Sequence, residues 1–240
     1  MTNQTVFDNQ VLIDFWDQAF TLTEEDKAAH AQADADSWKD LAPSEKLFRA
    51  ACELGKCKKV LDYGCGNAWD SIIAAKSGCE DVTAVDVAPG AAQSAQFLAE
   101  LYGVKEQVSI SCVSPDWLSY VPSDTYDGFI CSNVLDVVPA ETAEAIIREA
   151  ARAVTPDARV IIGLNYYLSA EAAASKGMEL LEGRKLYVNG VLRLVSRTDE
   201  EWAEVFAPYF SVEQLDHFAW PGESSETRRL FILRRQKDRQ

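Results

Sequence analysis

Basic residues are scarce in this 240-residue sequence: 23 Lys and Arg stand against 38 Asp and Glu, giving a formal net charge of −15. Binding to nucleic acid depends on neutralising phosphates, so this balance argues against a nucleic-acid partner. Histidine is scarcer still, with only His30 and His217. The six cysteines, at 52, 57, 65, 79, 112 and 131, lack the paired two-residue spacing of a zinc site. No metal is expected, and the thiols read as reduced, small core hydrophobes. No apolar run approaches the roughly 20 residues a membrane helix needs. The opening MTNQTVFDNQ has neither the basic nor the apolar region of a secretory signal. The expectation is a soluble, cytoplasmic protein with no membrane partner.

Apolar bulk is present, at 48% of residues, enough for one substantial core. From about residue 58, β-rich runs alternate with helical stretches: KVLDYG, DVTAVDV, QVSISCV, YDGFICS and ARVIIGL, with helices between. This rhythm predicts an α/β sandwich on a parallel sheet, its strands apolar enough for burial on both faces. Farther on, KLYV and VLRLV flank Asn189-Gly190, the dipeptide suited to a two-residue hairpin turn, so a hairpin is predicted at about 184–196. Thr198 and Glu201 form a capping-box signature for the next helix, and SVEQLDHFAW and RRLFILRR should pair antiparallel at a sheet edge. Residues 1–57 read as a helical cap over a domain at 58–240, with Pro43 expected in the first turn of a helix ending near Leu54.

The strongest chemical signal is VLDYGCGNAWD, residues 60–70, where a buried strand turns into a helix. Gly64 and Gly66 let a ligand lie against the main chain and reach the helix N-terminus. Asp62, at the end of an apolar strand, is costly to bury without a partner such as an ammonium group. A dinucleotide fold would need glycine at 69, where the chain has Trp69, whose indole would obstruct a pyrophosphate. In DVTAVDVAPG, Asp86 ends the second strand 24 residues after Asp62. Its carboxylate suits the vicinal diol of a ribose, and the other reading is a cap for the helix opening at Pro89.

The order of an acidic residue, one residue and spaced glycines resembles motif I of the class I S-adenosylmethionine-dependent methyltransferases, in particular the small-molecule type of methyltransferase domain 11/25. Ala68 stands where that family often has a third glycine. The resemblance runs over roughly residues 58–165 and implies a Rossmann-like seven-stranded sheet with S-adenosylmethionine as cofactor. It places Asp62, Gly64, Cys65, Gly66, Asp86 and Val87 at the cofactor. SPDWLSY then supplies Asp116 for the adenine amino group, with Trp117 nearby. YDGFICSNVLDVVP supplies Asn133 beside the methionine moiety. Family members often carry Glu-His where this chain has Asp136-Val137, which leaves Asp136 as the nearest ionisable group to an acceptor.

Methyl transfer from a sulfonium depends mainly on alignment, so no base is required by the chemistry itself. Asp136 and the Tyr166-Tyr167 pair are the candidates for acceptor contact, with helix capping and core packing as the alternative. Phe15, Trp16 and Phe20 are candidates to cover the sulfonium, because an aromatic face attracts a cation and excludes water. The hairpin is expected to cover substrate or to form a homodimer contact. The sequence holds neither an Asn-Pro-Pro-aromatic nor a Pro-Cys motif of base methylation, and a small-molecule acceptor is expected. A protein acceptor and a non-catalytic S-adenosylmethionine-binding module remain as rival readings.

Overall fold

The computed structural model describes residues 3–32, 34 and 36–236. The leader folds as α1 (Asn3–Phe20), α2 (Glu24–His30) and α3 (Glu45–Leu54). Ser44 caps α3 by accepting from the Leu47 N–H at 3.2 Å. Pro43 therefore precedes the cap and lies outside the first turn, where the sequence had suggested it. Ser44 wins the position because its hydroxyl satisfies a donor that proline leaves open.

Beyond the leader the chain alternates β1 (Val60–Tyr63), α4 (Trp69–Lys76), β2 (Val82–Asp86), α5 (Pro89–Leu101), β3 (Val108–Cys112), β4 (Tyr126–Ser132), α6 (Ala140–Ala153) and β5 (Val154–Leu164). Next come α7 (Ala170–Ser175), a hairpin of β6 (Lys185–Val188) and β7 (Val191–Val195), α8 (Asp199–Phe206), β8 (Phe210–Phe218) and β9 (Arg228–Arg235). The main sheet has the order β3-β2-β1-β4-β5-β9-β8, parallel except for β9, which runs antiparallel to both neighbours. The order reverses between β1 and β4, and the crevice outside the strand carboxyl ends at such a reversal is where ligands bind.

Burial on both faces follows the two-residue period of the strands. Leu61, Phe129, Val160 and Phe231 pack on one face with Ile147 of α6 and with Trp202 and Phe206 of α8. Val60, Ile130, Ile161 and Ile232 pack on the other with Leu47 and Leu54 of α3, Ile72 of α4 and Leu98 of α5. The edge strand β3 departs from the expected double burial: Ser109, Ser111 and Cys112 are exposed there, because β3 has a neighbour on one side only. Cys65, Cys79 and Cys131 are buried.

In the hairpin, Asn189 and Gly190 take φ values of 53° and 79°, the left-handed pair its tight turn requires. The hairpin has a small core of its own, formed by Leu186 and Leu194 with Leu168 and with Ala173 of α7. Its base is tied to the sheet by the Val195 N–H, which donates to the Asp136 carbonyl at 2.7 Å. The capping box at Thr198 and Glu201 is present.

Candidate active site

The turn after β1 is shaped by its glycines. Gly64 and Gly66 have φ values of 74° and 53°, and a Cβ on Gly64 would collide with the Val134 side chain. At Gly66 a Cβ would come within 2.8 Å of the Phe20 ring. Gly64 and Cys65 donate their N–H groups to the Val85 carbonyl at 2.8 and 3.0 Å, which holds the turn against β2. Asp86 completes the tie. One of its oxygens accepts from the Gly66 N–H and the other from the Ala88 N–H, both at 2.9 Å. Burial raises the Asp86 carboxyl, and the Ala88 and Gly66 N–H groups oppose that rise. Each carboxylate oxygen has a second lone pair, so the group can still accept from a ligand hydroxyl.

Behind this turn two acidic side chains are packed together. Asp62 is 1% exposed and accepts from the Ser71 hydroxyl at 2.7 Å. Its carboxyl is pushed up to about 7, first by burial and then by the charge of Asp86, against the pull of the Ser71 hydroxyl. Asp70, in the first turn of α4, is 4% exposed, and its Oδ1 has no hydrogen-bond partner. Burial, with the charge of Asp62 second, raises its carboxyl well above the usual range.

A cavity of about 470 Å³ runs along the strand ends. Gly64, Cys65, Gly66, Asp86, Val87, Asn133 and Trp16 all line it, and Asp70 joins them. The Asn133 side-chain oxygen is buried without a partner, on a residue held at φ 56°. Asp62 is not part of the wall and lies behind the turn. Asp116 is exposed and engaged at the surface, accepting from Ser114 at 2.5 Å and Tyr120 at 3.1 Å, which together hold its carboxyl below the ordinary value. Val113 and Pro115 line the cavity on that side, and Asp116 and Trp117 do not. Trp117 packs against the core beside Leu118.

The candidate acceptor residues also lie off the wall. Asp136 is fully buried and accepts from the Asn165 N–H at 2.6 Å. Burial raises its carboxyl, opposed first by that N–H and then by Arg229. Tyr166 packs against the hairpin core, and Tyr167 is exposed.

The roof of the cavity is α1, through Asn9, Leu12, Ile13, Trp16 and Phe20. Trp16 stacks near Phe15 and Phe20, with ring centroids 5.0 and 5.6 Å away. The Arg193 guanidinium of β7 lies 4.4 Å from the Phe15 ring centre and 5.4 Å from that of Trp16. The far end of α1 is docked on α5. Asp17 accepts from the Gly90 N–H at 2.6 Å, and the Ser94 hydroxyl donates to the Phe20 carbonyl. The cavity is also lined by Leu41 and Pro43 of the leader and by Trp220 and Pro221 of the β8–β9 loop. Arg228 fixes that loop: its guanidinium sits 3.7 Å from the Trp220 ring centre, pairs with Glu223 at 2.6 Å and donates to the Asn165 side chain.

Asp17, Asp70, Arg193, Trp220 and Arg228 were not among the residues singled out from sequence. Only Asp70 carried a usable signal, as an acid two residues into a buried helix next to a glycine turn. Among the described residues no group of three or more His, Cys, Asp or Glu could hold a metal, and no helix is long and apolar enough to cross a membrane.

A glycine turn, a pinned strand-end carboxylate and a cavity at the sheet's reversal together make a candidate ligand site on a doubly wound fold. Residues 60–157 match the family described as methyltransferase domain. That match takes in β1 to β4 and α4 to α6, the part of the chain that holds the glycine turn and Asp86. It is 32% identical over 94 residues to the ribosomal protein L11 methyltransferase of Shewanella piezotolerans, covering 39% of this chain and 28% of that protein. It is 24% identical over 151 residues to the ubiquinone biosynthesis O-methyltransferase of Neisseria meningitidis, covering 63% of this chain and 58% of the relative. The chain thus spans less than two thirds of either relative. Among solved structures, the Burkholderia thailandensis 1,6-didemethyltoxoflavin-N1-methyltransferase, bound to its substrate and S-adenosylhomocysteine, superposes with a TM-score of 0.60. It is 22% identical and covers 85% of this chain and 82% of that one.

Proposed function

We propose that the protein transfers a methyl group from S-adenosylmethionine to a small-molecule acceptor. The observation that carries this reading is Asp86, pinned by the Gly66 and Ala88 N–H groups at the rim of a cavity whose floor is the glycine turn. The residues fit the cofactor. The turn brings the main chain of Gly64 and Gly66 to the cavity wall, Asp86 offers acceptors for a ribose diol, and the orphaned oxygens of Asp70 and Asn133 await donors. The cofactor supplies a sulfonium-bound, electrophilic methyl. Val87, Val113 and Pro115 would flank the adenine.

The acceptor would lie between α1 and α6, where the wall is Leu12, Ile13, Val137, Val138 and Ile146 with the Asn9–Thr142 pair, whose side chains meet at 3.3 Å. These residues exclude water and orient the acceptor, which is where the rate gain of an alignment-limited displacement arises. Asp136 is assigned a positioning role, joining the end of β4 to β5 and the hairpin, and Tyr166 supports the hairpin core. Residues 1–57 are read as the cap of the domain at 58–240. The enzyme is read as cytoplasmic, and the net charge of −15 supports an acceptor other than nucleic acid.

Calorimetry with S-adenosylhomocysteine tests the cofactor site, and the absence of any binding would end this reading. Incubation with methyl-labelled S-adenosylmethionine and a small-molecule extract tests the reaction. Label in a small product is expected. Label found only in protein would point to a macromolecular acceptor, and binding without transfer would make the chain a cofactor-binding module.

A further inference from the structure

We propose that the acceptor is an uncharged, largely apolar molecule about two rings long, held at its far end by one hydrogen-bonding group between Asn9 and Thr142. The inference rests on the reading of the cavity as a site of methyl transfer and adds to it the class of acceptor and the two residues that select it.

The inner face of α1 measures the space. Asn9, Leu12, Ile13, Trp16 and Phe20 follow the three- and four-residue repeat of a helix, and all of them meet the cavity. Phe20 marks the end at the glycine turn, where a Cβ on Gly66 would come within 2.8 Å of its ring. Asn9 marks the other end, where its side-chain amide meets the Thr142 hydroxyl of α6 at 3.3 Å. Taking Trp16 as the cover of the sulfonium leaves the stretch back to Asn9 for the acceptor, roughly 10 Å at the rise of an α-helix. Two fused or linked rings fill that length.

The charge of the acceptor follows from what the wall can answer. The ionisable side chains on the wall are Tyr63, Cys65, Asp70 and Asp86, which belong to β1, the glycine turn, α4 and β2. On the side of α1 and α6 the wall is Leu12, Ile13, Val137, Val138 and Ile146. Among the described residues no Lys, Arg or His lines the cavity, so an anionic acceptor would be buried without a partner. A cationic acceptor would meet the sulfonium of the cofactor, a charge of the same sign. An uncharged molecule meets neither cost.

Asn9 and Thr142 are the polar exceptions in this apolar lobe. Besides the contact at 3.3 Å, the Thr142 hydroxyl reaches the Asn9 side-chain oxygen at 3.4 Å. Both distances are long for such bonds, and the pair keeps donors and acceptors to spare. A single hydroxyl or carbonyl on the acceptor can therefore bond here without leaving either side chain unpaired. That contact sets which end of the acceptor faces the cofactor.

The test measures binding near neutral pH to protein saturated with S-adenosylhomocysteine, with three fluorescent probes built on one two-ring skeleton. Naphthalene has no polar group, 2-naphthol has one uncharged hydroxyl, and 2-naphthoate has a carboxylate. Wild-type protein should bind 2-naphthol at least about fivefold more tightly than naphthalene and at least about tenfold more tightly than 2-naphthoate. In the double variant Asn9→Leu/Thr142→Val the advantage of 2-naphthol over naphthalene should shrink to less than about twofold, with naphthalene bound no more weakly than in wild type. The proposal is overturned, and the cofactor site left intact, if 2-naphthoate binds as tightly as 2-naphthol, if the preference for 2-naphthol survives in the double variant, or if no probe binds beside S-adenosylhomocysteine. Failure of S-adenosylhomocysteine itself to bind removes the cofactor reading and this inference together. The comparison of the three probes on wild type needs no variant, so it decides the class of acceptor even if the double variant folds poorly.

Discussion

The floor of the cavity, from Gly64 to Gly66 with Asp86, is held by main-chain hydrogen bonds, whereas its roof, Asn9 to Phe20 of α1, is held by side-chain packing and a few tethers to α5, α6 and β7. The floor cannot shift without breaking the register of β1 on β2. Lifting the roof would mean giving up Asp17–Gly90, Ser94–Phe20, Asn9–Thr142, the Arg193 stack and the burial of Leu12. A ligand enclosed at the strand ends therefore has a fixed side and a side that releases it.

Damage to the floor should have the largest effect. Asp86→Ala strands the Gly66 and Ala88 N–H groups and removes the proposed ribose acceptors, and S-adenosylhomocysteine affinity should fall by about 100-fold or more in calorimetry. Next comes the docking point of the roof. A Cβ on Gly90 would run into the Asp17 carbonyl and the Thr21 hydroxyl, so Gly90→Ala should cost about 1–3 kcal/mol in denaturant unfolding and weaken ligand binding with it.

The acidic pair gives a pH signature of the floor. Both carboxyls are raised in the folded state, so the stability linked to them is complete below their ordinary values and is lost as pH rises through the folded value, about 7 for Asp62. The ligand-free thermal midpoint should decline from about pH 4 to 7 more steeply in wild type than in Asp70→Asn, and identical profiles would remove the pair as the source. The smallest effect belongs to the stack above the roof. Arg193→Ala should leave the melting curve unchanged while S-adenosylhomocysteine leaves up to about tenfold faster in stopped flow, with Arg193→Lys partly restoring retention.

The same contrast explains what the sequence disclosed. Floor residues are legible because each answers a local demand: Gly64 and Gly66 sit at positive φ, and Asp86 ends a strand that carries Val82, Ala84 and Val85. The sheet and the hairpin are legible for the same reason, through strand periodicity and the Asn189-Gly190 turn. The roof gives no such signal. Trp16 and Phe20 look like any amphipathic helix face, and Trp220 reaches the cavity from a loop whose contact with Arg228 of β9, eight residues on, no motif announces. Asp116 and Asp136 show the opposite failure. Each stands in a recognisable motif, yet Ser114 and Tyr120 engage one at the surface, and Asn165 draws the other away from the cavity. Side-chain partners contributed from elsewhere in the chain determine orientation, and motif spacing does not encode them.

Ala68, the residue that opens α4, sits in left-handed backbone at φ 59° with its methyl fully buried against the second core cluster. An L-residue gives up roughly 1–2 kcal/mol in that conformation, and a buried methyl returns about 0.8. The turn thus exchanges conformational ease for apolar contact at nearly even terms. Glycine at this position would relax the backbone, leave a methyl-sized hollow beneath the helix and widen the unfolded ensemble. Ala68→Gly should accordingly leave overall stability within about 1 kcal/mol of wild type. Alanine in place of glycine at the third small position of this turn can therefore persist with little thermodynamic consequence.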